Sequence, residues 1–205
     1  MEKLIAGDLF PEVSLDIASG QSLKLPTDLD APLTIMLFYR GYWWPYCIRQ
    51  LNGYNERRAA FAGKGATIIA AVADSKENTL KVAETVDFPI AYGVTKEQAE
   101  ILGSWWSAIG PMEFIQPSEF VLANDGKVIA ATYSHGPFGR MDPTETLTYI
   151  SREAFDSLRE DYSKDWAPWF QRGFTLGAQG YAQIRKIHQR GSDLMKSYRY
   201  QSVYP

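Results

Sequence analysis

The sequence has only one cysteine, Cys47, among its 205 residues. A single cysteine excludes an internal disulfide, so nothing in the chain requires an oxidising compartment. The two histidines lie far from Cys47 and offer no metal-ligand spacing. Phosphate loops, dinucleotide fingerprints and Gly-x-Ser-x-Gly elbows are also missing from the sequence. We therefore expect neither a metal nor an organic cofactor.

Long apolar runs and strong charge are missing as well. No run approaches the length that crosses a bilayer. A formal charge of -3 gives no reason to expect a nucleic acid or an anionic membrane as partner. The first residues, MEKLIAGDLFPEVSL, lack the basic end and apolar stretch of a secretory signal. These absences predict a cytoplasmic protein without nucleic-acid or membrane partners.

Apolar runs of strand length alternate with helical segments through most of the chain. Residues 33–39 and 66–73 are continuous apolar runs, typical of strands buried on both faces. A hairpin with its turn at residues 19–21 precedes them, and a second hairpin with its turn at residues 124–126 follows. This order predicts an α/β protein with a central mixed sheet and helices on both faces.

Capping residues predict where several helices begin and end. Pro45 suits the first turn of a helix, because its missing N–H would have no partner there. Gly63 offers a C-terminal stop for that helix, and residues 52–53, Asn-Gly, suggest a kink within it. Ser75 and Thr95 are predicted to cap two further helices.

The end of the chain has a different, aromatic-rich composition. Apolar and aromatic residues recur there at steps of three and four, which predicts one more amphipathic helix. Trp166, Trp169 and Phe170 precede it. We expect these aromatic side chains to be buried, either against the sheet or in a homodimer contact. The predicted organisation is one domain over residues 1–160 and a helical extension over residues 161–205, packed on that domain or on a partner subunit.

Cys47 lies in the stretch FYRGYWWPYCIRQL, between a predicted strand and a predicted helix. A cysteine reacts as its thiolate, and unpaired N–H groups in the first turn of a helix favour that anion. Arg40 and Arg49 are close in sequence and would add positive charge. The alternative is a buried cysteine that packs as a small apolar residue. The residues alone leave both interpretations open.

This stretch resembles the redox-site segment of the AhpC/TSA family, the alkyl hydroperoxide reductases and thiol-specific antioxidant proteins. Members often carry an Arg-Gly-x-Trp-Cys-Pro-x-Cys run between a buried strand and a helix. The resemblance extends over residues 9–150 and includes the hairpin at residues 124–126 and the stretch at residues 136–140. It implies a thioredoxin-like fold and a peroxiredoxin-like antioxidant enzyme of cell redox homeostasis, with Cys47 as the catalytic residue.

The resemblance also implies roles for the neighbours of Cys47. Peroxiredoxins place an arginine in the first half of the second hairpin, and this chain has none there. Arg140 is the candidate to replace it, and with Arg40 and Arg49 it would stabilise the thiolate or position the substrate. Pro117 would shape the pocket, because it falls where the thioredoxin fold keeps a cis-proline. The expected pocket walls are Trp43, Trp44, Pro45 and Tyr46.

Trp44 departs from the family pattern. A two-cysteine member has Cys at this position and a peroxiredoxin has Thr or Ser, so a vicinal dithiol is excluded here. The leading hypothesis is a one-cysteine oxidoreductase: the Cys47 thiolate reduces a small peroxide or exchanges with a disulfide, and an external thiol resets it. A second hypothesis is a redox-silent binding or scaffold protein. In a third, Trp44 replaces the first redox residue, Cys or selenocysteine, of a redoxin.

Overall fold

A computed structural model describes residues 2–151 of the chain. The predicted boundary at residue 160 and the predicted extension over residues 161–205 lie outside the described residues, so both stay predictions. Within residues 2–151, no helix is long and apolar enough to cross a membrane.

The described residues form nine strands and five helices. The strands are β1 (Val13–Ile17), β2 (Ser22–Leu25), β3 (Leu33–Tyr39), β4 (Ala66–Val72), β5 (Ile90–Tyr92), β6 (Trp106–Ile109), β7 (Met112–Ile115), β8 (Ser118–Ala123) and β9 (Val128–Tyr133). The helices are α1 (Pro45–Glu56), α2 (Arg58–Ala62), α3 (Lys76–Ala83), α4 (Lys96–Ile101) and α5 (Pro143–Ser151).

Seven of the strands form one mixed sheet in the order β2-β1-β5-β4-β3-β8-β9. β3, β4 and β5 run parallel, and β8 lies antiparallel to β3. All seven residues of β3 are buried, as its continuous apolar run predicts. The predicted mixed sheet is therefore confirmed, with its most buried strand leading directly to Cys47.

Helices cover both faces of this sheet. Adjacent side chains of β8 point to opposite faces because a strand is pleated. Phe120 belongs to a core cluster that includes Ala99 of α4. On the other face, Glu119 accepts hydrogen bonds from Tyr54 of α1 and Thr146 of α5.

α1 begins at Pro45, as predicted, but its end differs from the prediction. The helix runs through residues 52–53 and stops at Glu56, because Arg57 has φ -102° and ψ 6°. α2 then follows as a separate helix, which Gly63 caps. A Cβ on Gly53 would lie 3.1 Å from Pro143 Cγ. Gly53 therefore allows α5 to approach α1 closely.

The two predicted N-caps on α3 and α4 are present. Ser75 Oγ accepts a hydrogen bond from the backbone N–H of Asn78 at 3.3 Å. Thr95 and Gln98 form a reciprocal capping box, in which each side chain bonds the backbone N–H of the other residue. Local sequence therefore determines where these two helices start.

The β6–β7 hairpin was not predicted from the sequence. It forms a separate two-stranded sheet, with a turn at Gly110, whose φ is +59°. The Gly110-Pro111 dipeptide is the local signal for this turn. The hairpin places Phe114 of β7 beside Arg40, at the end of β3 where Cys47 lies.

Two hairpin glycines allow a test of how tightly the sheet ends are packed. Gly126 has φ +83°, and a Cβ there would lie 2.8 Å from Pro26 Cβ, whereas Gly20 has φ +103° and nothing within 4 Å. Both substitutions to Ala strain a left-handed backbone, at about 1–2 kcal/mol. Gly126→Ala adds a steric clash, of about 1–3 kcal/mol. We expect urea unfolding to show a larger loss of unfolding free energy for Gly126→Ala than for Gly20→Ala. Equal losses would mean that Pro26 moves aside at no cost.

Candidate active site

Cys47 lies in the first turn of α1, just beyond the end of β3. Its side chain is 0 % exposed. The backbone N–H of Arg40 donates to Cys47 Sγ at 3.4 Å. The sulfur therefore joins the segment that follows β3 to the first turn of α1.

Arg140 contacts the sulfur directly. Its Nη2 lies 3.0 Å from Cys47 Sγ, and its Nη1 donates to the carbonyl of Pro137 at 2.6 Å. The second bond is made within the segment that follows β9, so this segment holds the guanidinium in place. Arg140 therefore reaches the sulfur. It is the residue that the sequence offers in place of the missing hairpin arginine.

Arg40 places a second guanidinium in the same region, between aromatic rings. The side chain is 5 % exposed, and its guanidinium carbon lies 4.6 Å from the Trp44 ring centre and 4.4 Å from that of Phe114. Burial lowers the pKa of Arg40, the charge of Cys47 opposes this, and the Arg140 cation adds to it. Within residues 2–151, Nε and Nη1 of Arg40 have no hydrogen-bond partner.

Trp44 connects the start of α1 to the segment that carries Arg140. Its indole Nε1 donates to the Pro137 carbonyl at 3.0 Å, so it shares this acceptor with Arg140. Its ring also contacts Tyr46 and Phe138, with centroid distances of 5.7 Å and 6.4 Å. The indole N–H thus helps to hold the residues that position Arg140.

Arg49 takes a different position from Arg40 and Arg140. It is exposed, and its guanidinium carbon lies 4.8 Å from the ring centre of Tyr46. Among the hydrogen bonds of residues 2–151, none joins Arg49 to Cys47. Arg49 instead lines a surface recess of about 230 Å³, to which Arg140 also contributes.

The remaining predicted wall residues lie on the outer side of the first turn. Trp43 packs against Phe114 and Trp44, with ring centroids 5.4 Å and 5.8 Å apart. Pro45 is exposed at the start of α1. Trp43 and Pro45 line a second recess, on the side of Tyr42, and Arg49 lies between the two recesses and lines both.

Pro117 is buried, but the cis geometry expected of it is wrong. Among residues 2–151, the cis peptide bond is Leu25–Pro26, and Gln116–Pro117 is trans. Backbone hydrogen bonds hold the segment on both sides of this bond. The N–H of Gln116 donates to the carbonyl of Trp105 at 2.7 Å, and the carbonyl of Pro117 accepts from Ser134 at 2.9 Å.

Metal ligands do not assemble in the described part of the chain. No group of three or more His, Cys, Asp or Glu side chains in residues 2–151 could hold a metal ion.

His135 is exposed and packs edge-on against Trp105, with ring centroids 4.9 Å apart.

A buried polar network surrounds Glu119, which was not predicted from the sequence. Its Oε1 accepts hydrogen bonds from the Tyr54 hydroxyl at 2.7 Å and the Thr146 hydroxyl at 2.6 Å. Burial raises the pKa of Glu119 to about 7, although both hydrogen bonds oppose the rise. Gln50 donates to Glu119 at 3.4 Å and to the carbonyl of Met141 at 3.2 Å. The available signal was an acidic residue within a predicted buried strand.

The sequence of the chain matches a known protein family, and its structure resembles solved structures. The sequence profile of the AhpC/TSA family matches residues 6–131. No curated protein sequence matches the chain. Among solved structures, the peroxidoxin BcpB of Mycobacterium tuberculosis aligns with a TM-score of 0.62 at 18% identity, over 72% of this chain and 96% of that one.

Two further structures give the same result. A cysteine-to-serine variant of the peroxiredoxin 6 of Arenicola marina aligns with a TM-score of 0.65 at 20% identity, over 76% of this chain and 74% of that one. AhpC of Enterococcus faecalis aligns with a TM-score of 0.65 at 16% identity, over 78% and 96%. These similarities show the thioredoxin-like fold that the sequence resemblance implied.

The raised pKa of Glu119 predicts how stability depends on pH. The pKa of about 7 means that Glu119 keeps its proton up to about pH 7 in the native state, whereas the carboxyl of the unfolded chain releases it near its ordinary pKa of 4.5. The free energy of unfolding therefore falls as pH rises through this window, by about 3 kcal/mol. Glu119→Gln removes this term, so the variant should gain stability relative to the wild type between pH 4.5 and 8.

Urea unfolding at several pH values measures this difference. Glu100→Gln, which changes an exposed carboxylate next to the end of α4, is the matched control and should show no such trend. A stability difference between Glu119→Gln and the wild type that stays constant with pH would contradict the prediction.

Proposed function

Because this chain belongs to the AhpC/TSA family, we propose that it is a one-cysteine, thiol-dependent peroxidase that reacts through Cys47 Sγ. The observation that carries this proposal is the 3.0 Å contact between Arg140 Nη2 and the sulfur. A guanidinium at that distance stabilises a thiolate relative to a thiol. The Arg40 N–H at 3.4 Å supports the same anion.

The oxidative step transfers one oxygen atom to the sulfur. The Cys47 thiolate attacks the terminal oxygen of ROOH, so that an S–O bond forms and the O–O bond breaks. Cys47 is oxidised by two electrons to sulfenic acid, and the peroxide leaves as alkoxide and takes up a proton to become ROH. The free N–H groups of Arg40 and Arg140 would stabilise the charge that develops on the leaving oxygen.

The reductive step requires thiols from outside the chain, since Cys47 is its single cysteine. A first external thiol attacks the sulfenic sulfur, water leaves, and a mixed disulfide forms. A second thiol then releases the external disulfide and restores Cys47. The proposed partners are accordingly a peroxide or disulfide substrate and a small or protein thiol.

In this proposal Trp44 acts as a positioning residue. An indole has no hydroxyl to offer to a peroxide, as Thr or Ser would have. Its N–H, the polar group it does have, is already bonded to the Pro137 carbonyl. It holds that carbonyl in the place where Arg140 also uses it. Trp44 therefore supports the guanidinium that contacts the sulfur.

The full burial of Cys47 favours a second candidate function, a redox-silent binding or scaffold protein. A peroxide has to pass the side chains that cover the sulfur before it can react. Arg140 both contacts the sulfur and lines the 230 Å³ recess, so this recess is the proposed approach. The two functions differ in whether peroxide oxidises Cys47.

Oxidation by stoichiometric hydrogen peroxide tests the proposed function. Intact mass should show one oxygen atom gained by the wild type and none by Cys47→Ser. Arg140→Gln should slow this oxidation by about 100-fold, since it removes a donor from the transition state. Arg140→Lys keeps the charge but loses the planar guanidinium, so its oxidation rate should lie between the rates of the wild type and of Arg140→Gln.

Dithiothreitol should reverse the oxidation and support repeated turnover. A wild-type protein that gains no oxygen, with Cys47→Ser indistinguishable from it, would contradict the peroxidase and leave the scaffold function.

The positioning role of Trp44 predicts a measurable coupling. Trp44→Phe keeps a ring but removes the N–H bonded to Pro137. Losing one such hydrogen bond should slow oxidation of Cys47 by about fivefold. Trp43→Phe, the matched control, should leave the rate near that of the wild type.

A double variant distinguishes coupling from a separate effect. If Trp44 acts through Arg140, Trp44→Phe should add little to the defect of Arg140→Gln. Fully multiplicative effects in the double variant would contradict this role.

A further inference from the structure

The recess beside Cys47 combines two arginines with aromatic surface. It encloses about 230 Å³ and is lined by Tyr46, Arg49, Phe138, Arg140 and Asp142, among others. Arg140 connects it to the sulfur, with Nη2 at 3.0 Å from Cys47 Sγ. We name it the Arg49 recess, because Arg49 is the cation in it that does not contact the sulfur.

Within residues 2–151, the lining of the Arg49 recess carries two guanidinium groups and one carboxylate, that of Asp142. None of the ion pairs formed within residues 2–151 includes Arg40, Arg49 or Arg140. The carboxylate of Asp142 accepts a hydrogen bond from the backbone N–H of Thr144 at 2.8 Å, and this bond above all lowers its pKa. Asp142 bonds the start of α5 and forms no ion pair within residues 2–151, so the recess keeps an excess of positive charge. The recess is suited to an anion supplied by a ligand.

The aromatic side chains of the recess are suited to the apolar part of a small ligand. The Phe138 side chain is 64 % exposed, and its ring lies edge-on to that of Tyr46 at 4.9 Å. Arg49 lies over the other ring of this pair, Tyr46, at 4.8 Å. Ligand sites commonly combine such aromatic surface with a few polar groups that fix orientation. A volume of about 230 Å³ accommodates a ligand with one aromatic ring.

We infer that the Arg49 recess selects organic hydroperoxides that carry a carboxylate, an inference that rests on the proposed peroxidase function. The carboxylate binds Arg49, and the aromatic rings of Tyr46 and Phe138 contact the carbon skeleton. The hydroperoxide group then lies toward Arg140 and Cys47, where the sulfur takes its terminal oxygen and the corresponding alcohol leaves. Arg49 is thereby a specificity residue for the substrate.

A matched pair of hydroperoxides tests this inference. The probes are 4-(2-hydroperoxypropan-2-yl)benzoate and its methyl ester, which share the same O–O bond and ring and differ in charge. Second-order rate constants for sulfenic acid formation are measured by rapid quenching and intact mass. The wild type should react about tenfold faster with the carboxylate, as expected for one charge-assisted hydrogen bond.

Two arginine variants test whether Arg49 carries the preference. Arg49→Gln should reduce the ratio of the two rates to about one, because the ligand loses its charged partner. Arg58→Gln removes the same charge from α2, where Arg58 pairs with Asp87, and should keep the wild-type ratio. The ratio in the wild type should also fall as salt increases.

Failure of this inference is distinguishable from failure of the peroxidase. Equal rates for the two probes, in a protein that hydrogen peroxide oxidises, overturn the inference and leave the proposed function intact. A preference that persists in Arg49→Gln overturns the assignment to this recess. No oxidation of Cys47 by any of the three peroxides overturns both.

Discussion

The carbonyl of Pro137 holds together the two parts of the site. Trp44, at the start of α1, donates to it at 3.0 Å, and Arg140 donates to it at 2.6 Å. One backbone oxygen therefore links the helix that carries Cys47 with the segment after β9. A second bond between the same two parts runs from Gln50 of α1 to the carbonyl of Met141 at 3.2 Å, next to Arg140. The residue that departs most from the family pattern, Trp44, is thus part of what positions the guanidinium.

Charge is distributed unevenly around this link. On the side of the sulfur are guanidinium groups without a carboxylate partner in the described residues, and Arg40 is buried between aromatic rings. On the inner side, Glu119 is buried with a pKa raised to about 7, bonded by hydroxyl groups. Gln50 lies between the two regions and bonds both Glu119 and the carbonyl of Met141, the residue after Arg140. A neutral amide thus connects the buried acid to the basic site.

Local patterns predicted the elements that depend on local chemistry, and failed where distant residues decide the geometry. The buried strand β3 and the start of α1 at Pro45 follow from composition and backbone chemistry. The end of α1 at Arg57 and the β6–β7 hairpin were missed. The trans bond before Pro117 contradicts a prediction made by analogy, because hydrogen bonds to other segments hold that residue. Arg49, expected to stabilise the thiolate or position the substrate, lies over Tyr46, and its role stays a prediction.

Three features follow from the sequence alone: the α/β alternation, the position of Cys47 in the first turn of a helix and the lack of a second cysteine to pair with it. These follow from apolar periodicity, from the conformational limits of proline and from a count of cysteines. Which arginine reaches the sulfur depends on the fold, because Arg140 is 93 residues away from Cys47 in sequence. The fold likewise sets the partner of the Trp44 N–H, since its acceptor belongs to a segment equally distant along the chain. Contacts of this kind depend on how the sheet brings the ends of β3 and β9 together, which no local pattern records.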